Sequence, residues 1–408
     1  MSTSNRKSLL LIIALLFATL GMSGETIIIP GADQMFKAYN NDTFVNFLLS
    51  GPHLISLFAS LIAGKALQYI DKKKMLLLGL ILFTIGGTFG VALERAPFMI
   101  VMRCLVGLAL GFTYVTNMTI ITSLYPEENR RSRMIGILNA GMFCVTSLLT
   151  AAGGLVAETF GFKAMFNLYS LGLISIIVIF LFVPKSPPEA RNSLQPSPKR
   201  ELSFSVPVSN TTSSKGWKSQ LFILSAGYLI FQISYASMTF FNAVYADEQG
   251  LGGAAFAGVL TSTIYISALI SSLAYGFLYP KLKRNTILIS FSFIIIAYTL
   301  FIFFPSRSMA IIGCFFLGYA NANAFSQVVM RAGMIAPKNV ASRAISVVTA
   351  VMSVSFFLST YTVQLLKTIF RVKTFVSVMP IILTVDILLL IVTVIYLWAP
   401  KKRASLSA

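Results

Sequence analysis

A basic loop between two apolar runs, Gly64-Lys-Ala-Leu-Gln-Tyr-Ile-Asp-Lys-Lys-Lys74, returns in shortened form as Gly276-Phe-Leu-Tyr-Pro-Lys-Leu-Lys-Arg284, 212 positions later. Two further matches sit at nearly the same offset. Gly107-Leu-Ala-Leu-Gly111 corresponds to Gly318-Tyr-Ala-Asn321, and the loops Pro126 to Arg133 and Pro337 to Arg343 both run from a proline to Ser-Arg. An internal repeat of this length decides architecture before any single residue is weighed. In a duplicated bundle of membrane helices the working site lies between the repeats.

Of 408 residues, 56% are apolar and 11% charged, well below the soluble average of about 25% charged. Apolar stretches near the roughly 20 residues that cross a bilayer recur along the whole length. They predict an all-α polytopic membrane protein of twelve transmembrane helices in two pseudo-symmetric six-helix bundles. The expected spans are 8–29, 43–65, 75–93, 97–123, 134–157 and 163–184, then 217–245, 253–279, 286–304, 308–333, 342–366 and 374–398. The first follows Arg6 and Lys7 without a small-residue cleavage site, so it reads as span 1 rather than a signal peptide. Residues 1–184 form one expected bundle and 217–408 the other. Residues 185–216, rich in Ser, Pro and mixed charge, form a cytoplasmic linker.

With Arg103 set aside, these spans put 24 Lys and Arg on the side holding both termini and 7 on the other, which predicts cytoplasmic termini. The net charge of +19 is therefore a topological signal and an attraction to anionic lipid, and nothing points to nucleic acid. Cys104, Cys144 and Cys314 all fall inside spans and read as buried thiols without disulfides. Trp217 and Trp398 stand at span ends as interfacial anchors.

Together these features make the chain similar to the major facilitator superfamily, specifically its twelve-helix drug:proton antiporter-like branch. The loop after span 2 resembles the pattern G-x-x-x-D-R-x-G-R-K, with Gly64 at the first glycine and Lys72 and Lys73 at the basic pair. Gln68, Tyr69 and Asp71 stand where the family has Asp, Arg and Gly. The resemblance makes Gly64, Gln68, Asp71, Lys72, Lys73, Gly276 and Arg284 a cytoplasmic gate. The family's acidic position docks on a helix N-terminus of the other half, so uncharged Gln68 implies a weaker latch. Span 4 resembles R-x-x-Q-G through Arg103 and Gly107, with Val106 in place of Gln. Span 5 carries Gly153-Gly154 where the antiporter branch ends G-P-x-x-G-G, with Leu149 and Thr150 replacing Gly-Pro.

Glu25, in Gly21-Met-Ser-Gly-Glu-Thr-Ile-Ile-Ile-Pro30, matches the family's span 1 frame, whose acid lines the central cavity in related exporters. It lies about 17 residues from the cytoplasmic start of the span, hence in the outer half of the bilayer. A carboxyl at that depth is a site for proton exchange or cation recognition; the alternative is a permanently neutral Glu bonded to a neighbouring helix. An arginine inside a span needs a partner or water, so Arg103 joins Glu25 as a coupling candidate, unless it snorkels to the outer surface. His53, the only histidine, follows Pro52 at a depth like that of Glu25 and completes the proton-coupling candidates. Asp386 lies midway along span 12, a peripheral support in this fold, and calls for a local polar partner.

If the family arrangement holds, spans 1, 4, 7 and 10 line the cavity. The candidate substrate contacts are Glu25, Tyr114, Asn117, Gln232, Tyr235, Asn242, Asn321 and Gln327. Asn321 and Asn323 are two apart and cannot both face inward. One acid in an apolar, amide-dotted cavity suits a small amphiphilic or hydrophobic compound. No Gly-rich phosphate loop with Lys-Ser/Thr is present, so ATP is not the driving force, and a single histidine without a cysteine pair gives no metal site. The expectation is not an enzyme but a cofactor-free, monomeric secondary transporter of the bacterial cell membrane. It would exchange protons for a small-molecule substrate in efflux. Proton-coupled uptake of a metabolite, or a non-transporting sensor or scaffold, are the alternatives.

Overall fold

The computed structural model describes residues 3–67, 69–124, 128–185, 216–336 and 341–398. The chain is all-helical, with no strand among the described residues. Within a bilayer every backbone N–H and C=O must find a partner inside the protein, and helices supply most of them within each segment. The order is α1 (Thr3–Ala18), α2 (Ala32–Tyr39), α3 (Asp42–Ala66), α4 (Lys72–Thr88), α5 (Ala96–Leu124), α6 (Glu128–Phe160) and α7 (Gly172–Phe182). After the undescribed residues come α8 (Trp217–Glu248), α9 (Ala254–Leu282), α10 (Thr286–Phe303), α11 (Arg307–Ile335), α12 (Ala341–Ile369) and α13 (Met379–Trp398). Most of the expected linker, residues 186–215, lies outside the described residues.

Among the described residues, ten segments are long and apolar enough to cross a membrane, and eleven if Leu10–Met22 and Gly24–Tyr39, bent by 48°, count as one. The expected count of twelve differs from this at two places: the first span is broken, as described below, and α4 runs only 17 residues, about 25 Å at 1.5 Å per residue. Many apolar helices make this a multi-pass membrane protein.

Two contacts define the faces of the bundle. Lys37, beyond the first span, pairs with Asp247 at the end of α8 at 2.5 Å. Glu248 accepts from the backbone N–H groups of Phe375 and Val376, ahead of α13, at 2.8 and 2.9 Å. The ends of span 1 and α8 and the entry to α13 therefore share a distal face. The starts of α1 and α8 and the end of α13 share the opposite, terminal face.

The glycines of the repeat have a common task. A Cβ on Gly107 would sit 2.7 Å from the Pro52 carbonyl oxygen on α3, and one on Gly318 would overlap the Ile264 carbonyl on α9. Each lets α5 or α11 lie against the helix two spans earlier at backbone distance, which is how helices associate where solvent supplies no hydrophobic drive. α6 packs on α9 and α3 on α12, joining helices before residue 185 to helices after 216.

Candidate functional site

The first span breaks where its sequence is poorest in helix formers. α1 ends at Ala18 and continues as two 3-10 segments, Thr19–Met22 and Gly24–Gly31, the second containing Pro30. Glycine is a weak helix residue and proline withholds an N–H. Local hydroxyls fill in: Thr19 Oγ1 donates to Leu16 O at 2.6 Å, Ser23 Oγ to Thr19 O at 3.1 Å and Thr26 Oγ1 to Ser23 O at 2.8 Å. Glu25 sits in this break, 8% exposed. Its Oε2 is buried and has no hydrogen-bond partner among the described residues.

Arg103 does not snorkel. It is 1% exposed, and its Nε donates to Leu48 O on α3 at 2.6 Å. Leu48 is four residues before Pro52, so its carbonyl is the one that the missing proline N–H leaves free. Nη1 donates to the Tyr169 hydroxyl at 2.9 Å, and that hydroxyl donates to the Gly24 carbonyl inside the span 1 break. One guanidinium thus secures two interrupted helices. Its Nη2 is buried without a partner among the described residues. No ion pair joins Arg103 to Glu25 among the described residues.

His53 forms no described hydrogen bond to Glu25. Its ring packs against Phe356 at 4.6 Å and Phe240 at 5.9 Å, from α12 and α8. Phe356 also meets Tyr235 at 5.8 Å. Tyr265 on α9 stacks with Phe143 on α6 at 6.5 Å. The segment Gly24–Gly31 that carries Glu25 packs on α8 and α9, the helices of the second set that hold Tyr235 and Tyr265.

The other candidates are tied to neighbours. Asn117 Nδ2 donates to Leu15 O at 3.1 Å, Gln232 Nε2 to Tyr228 Oη at 2.8 Å and Asn242 Nδ2 to Thr261 Oγ1 at 2.7 Å. Gln327 Oε1 accepts from Tyr275 at 2.8 Å, while Tyr114 is half-buried beside an apolar cluster containing Met22 and Met118. Asn323 points away from Asn321, donating to Thr286 O and Ser290 Oγ on α10 at 2.9 and 2.7 Å. The carbonyl oxygens of Asn117, Gln232, Asn242 and Asn321 are buried without partners among the described residues. Asp386, 0% exposed, accepts from Ser234 Oγ at 2.6 Å. Tyr169, Tyr265, Phe143 and Phe356 were absent from the sequence-based candidates because those came from spans 1, 4, 7 and 10. No spacing signal marks these four aromatics among 34 Phe and 15 Tyr.

At the terminal face, Gly64 and Gly276 have open space beside them. Asp71 accepts from Lys73 N at 2.7 Å and Lys74 N at 3.4 Å, capping α4. Lys73 Nζ donates to Phe180 O at 2.7 Å, Lys72 is buried, and Arg284 is exposed on the turn Lys283–Asn285. Gln68 lies outside the described residues.

Among the described residues, the polar contacts between the sets gather toward the distal face. Ser262 Oγ donates to Ser147 O at 2.7 Å and meets Thr150 Oγ1 at 3.2 Å. Glu158 Oε2 accepts from Ala255 N at 2.8 Å, at the start of α9. Ser50 and Thr360 hydroxyls lie 2.9 Å apart, and Asn46 Nδ2 donates to Gln364 Oε1 at 3.1 Å. Gly154 abuts Gly258, a Cβ there coming 2.5 Å from Ala254 O. Glu158 thus places an acid at a helix N-terminus of the other set, on the distal face.

A family model described as Major Facilitator Superfamily matches residues 11–360. The chain is 26% identical over 313 residues to a multi-drug resistance efflux pump PmrA homolog of Lactococcus lactis, covering 74% of this chain and 73% of that protein. It is 28% identical over 197 residues to a hexuronate transporter of Bacillus subtilis, covering 47% and 46%. Among solved structures it is similar to a bacterial homolog of the human lysosomal transporter Spinster, with TM-score 0.70, 14% identity and 97% and 95% coverage. A D-xylose-proton symporter gives TM-score 0.70, 12% identity and 94% and 97% coverage.

Proposed function

From the premise that the chain belongs to the Major Facilitator Superfamily, and is a transporter rather than an enzyme, we propose that it exports small amphiphilic or hydrophobic compounds in exchange for protons. Two six-helix halves, 1–184 and 217–408, rock about the central cluster, with the bent first span and the short α4 completing twelve spans. Both termini are cytoplasmic, following the distribution of Lys and Arg, so the distal face is external and the arrangement described above is closed to the outside. The membrane is the bacterial cell membrane and the working unit a monomer.

The observation that carries this reading is the unpartnered, buried Oε2 of Glu25, at a helix break between the two sets. An ionisable group at such a depth is retained for function. Substrate bound from the cytoplasm is held by the ionised carboxylate. After the external side opens, a proton neutralises Glu25 and the substrate leaves; return of that proton inward resets the site. Arg103 supplies the attraction for the ionised carboxylate, and Tyr235, Tyr265 and Asn321 surround the substrate. Gln232, Asn242 and Asn117 shape the walls, and His53 with Phe356 closes the outer end. The efflux direction is favoured by the family relative named a multi-drug efflux pump.

The test uses inside-out vesicles with an imposed proton gradient, a pH-sensitive dye and a panel of amphiphiles. Substrate-dependent proton release is expected in the wild type and absent in Glu25→Gln. Proton release that persists in Glu25→Gln refutes the mechanism. Uptake with the proton would place the chain instead among symporters, such as the D-xylose-proton symporter of the same fold.

A further inference from the structure

A cavity of about 170 Å³ opens between the two sets at the distal face, away from Glu25. Its charged walls divide by origin. Asp33 and Asp42 come from the first set, and Lys367 and Lys373 from the second. Phe241 lies beneath, stacked on Phe36 at 5.5 Å, with Lys367 Nζ 6.0 Å above its ring. One oxygen of Asp33 is engaged by Lys37 at 2.9 Å. Asp42, Lys367 and Lys373 form no ion pair among the described residues. Asn46, 1% exposed, also lines the cavity; its Nδ2 is bonded to Gln364, while its Oδ1 is buried and without a partner among the described residues.

A cavity with carboxylates on one wall, ammonium groups on the other, an apolar floor and a buried acceptor selects a ligand that carries both charges. A lone anion would meet Asp33 and Asp42, and a lone cation would meet the two lysines; a zwitterion oriented across the cavity satisfies both walls. We infer that this cavity binds a small zwitterion, its anionic group at Lys367 and Lys373 and its ammonium at Asp33 and Asp42, with Asn46 Oδ1 accepting a ligand N–H. The acids travel with one set of helices and the lysines with the other, so the bound ligand bridges the sets. A ligand that fits only the closed distal arrangement shifts the population toward it and slows each cycle that requires the distal face to open. The same chemistry is offered by a free molecule such as phosphoethanolamine and by the headgroup of an ethanolamine phospholipid.

The test titrates O-phosphoethanolamine onto the purified full-length protein in detergent, with the thermal unfolding midpoint as readout. A saturable rise is expected, with inorganic phosphate and ethanolamine each binding at least tenfold more weakly. Asp42→Asn and Lys367→Gln, both at the cavity rim, should weaken binding about twofold to fivefold, the range of an exposed charge contact. Neither should move the unliganded midpoint. Nanodiscs with and without ethanolamine phospholipid then separate the sources. Loss of binding only where the lipid is present assigns the site to the headgroup, and equal binding in both assigns it to the free zwitterion. No saturable binding in detergent or nanodiscs, binding by phosphate alone as tight as by phosphoethanolamine, or affinity unchanged by both substitutions overturns the inference.

Discussion

Replacing Gly154 with alanine should open the distal face. A Cβ at this position would lie 2.5 Å from the Ala254 carbonyl oxygen and 2.9 Å from the Gly258 Cα, both on α9. Those atoms are backbone and cannot rotate aside, so α6 and α9 must separate by about 0.5–1 Å to restore ordinary contact. That displacement stretches the bonds spanning the same crossing: Ser262 to Ser147 at 2.7 Å, Thr150 to Ser262 at 3.2 Å and Ala255 N to Glu158 at 2.8 Å. Overpacking of this kind costs about 1–3 kcal/mol. The separated arrangement makes neither the clash nor these bonds. The whole penalty therefore falls on the closed state, reducing its population relative to the open one by about 5–150-fold.

Nitroxide labels at exposed Ala38 and Ser377, one from each set, read the change by pulsed electron paramagnetic resonance, with Cys104, Cys144 and Cys314 replaced beforehand. The wild type should give one short distance at this face, and Gly154→Ala a second, longer population. Gly154→Val should deepen the shift. A distance distribution unchanged in both variants would refute the argument that backbone proximity at this crossing sets the closed state.

Tyr169→Phe removes the hydroxyl between Arg103 and the Gly24 carbonyl. It leaves buried groups unpaired and should cost about 1–3 kcal/mol, read as a lower unfolding midpoint in detergent. Asp71→Ala deletes the cap of α4 and should cost about 0.5–2 kcal/mol, while Asp71→Ser recovers most of it. Recovery by serine identifies a cap; a transport defect without loss of stability would identify a gate instead. Ser234→Ala strips Asp386 of its hydroxyl donor and should cost about 1–3 kcal/mol, with much less loss when Asp386→Leu is added. Equal losses in the single and double variants would show that the pair contributes nothing.

The repeat, the helical class and the separation into apolar runs were legible because each depends on composition summed over some twenty residues. Glu25 and Arg103 were legible for a related reason: charge is rare enough in these runs to be visible singly. Partners were not. Tyr169 is one aromatic among many, and only the fold brings its hydroxyl between span 4 and the break in span 1. Asp71 looked like a departure from a gate motif, yet its position one residue ahead of α4 already satisfied the rule for a helix cap. The contacts that close this conformation are hydroxyls, amides and glycines of α3, α6, α9 and α12, residue types that are common in every span and carry no signal until two helices meet.

The geometry of Arg103 changes how its role has to be tested. Its Nε occupies the carbonyl that Pro52 leaves open in α3, and its Nη1 reaches the break beside Glu25 through Tyr169. Removing the side chain therefore unseats two helices as well as a charge, and lost transport in Arg103→Ala would follow from either. The roles separate at the neighbours. Tyr169→Phe withdraws the link to the break and keeps the charge; Glu25→Gln keeps the link and withdraws the acid. If coupling fails only in Glu25→Gln, Arg103 serves transport through its charge on that carboxyl. If Tyr169→Phe uncouples protons from substrate as well, the shape of the broken span is itself part of the coupling, and the second interruption, at Pro52, belongs to the same device.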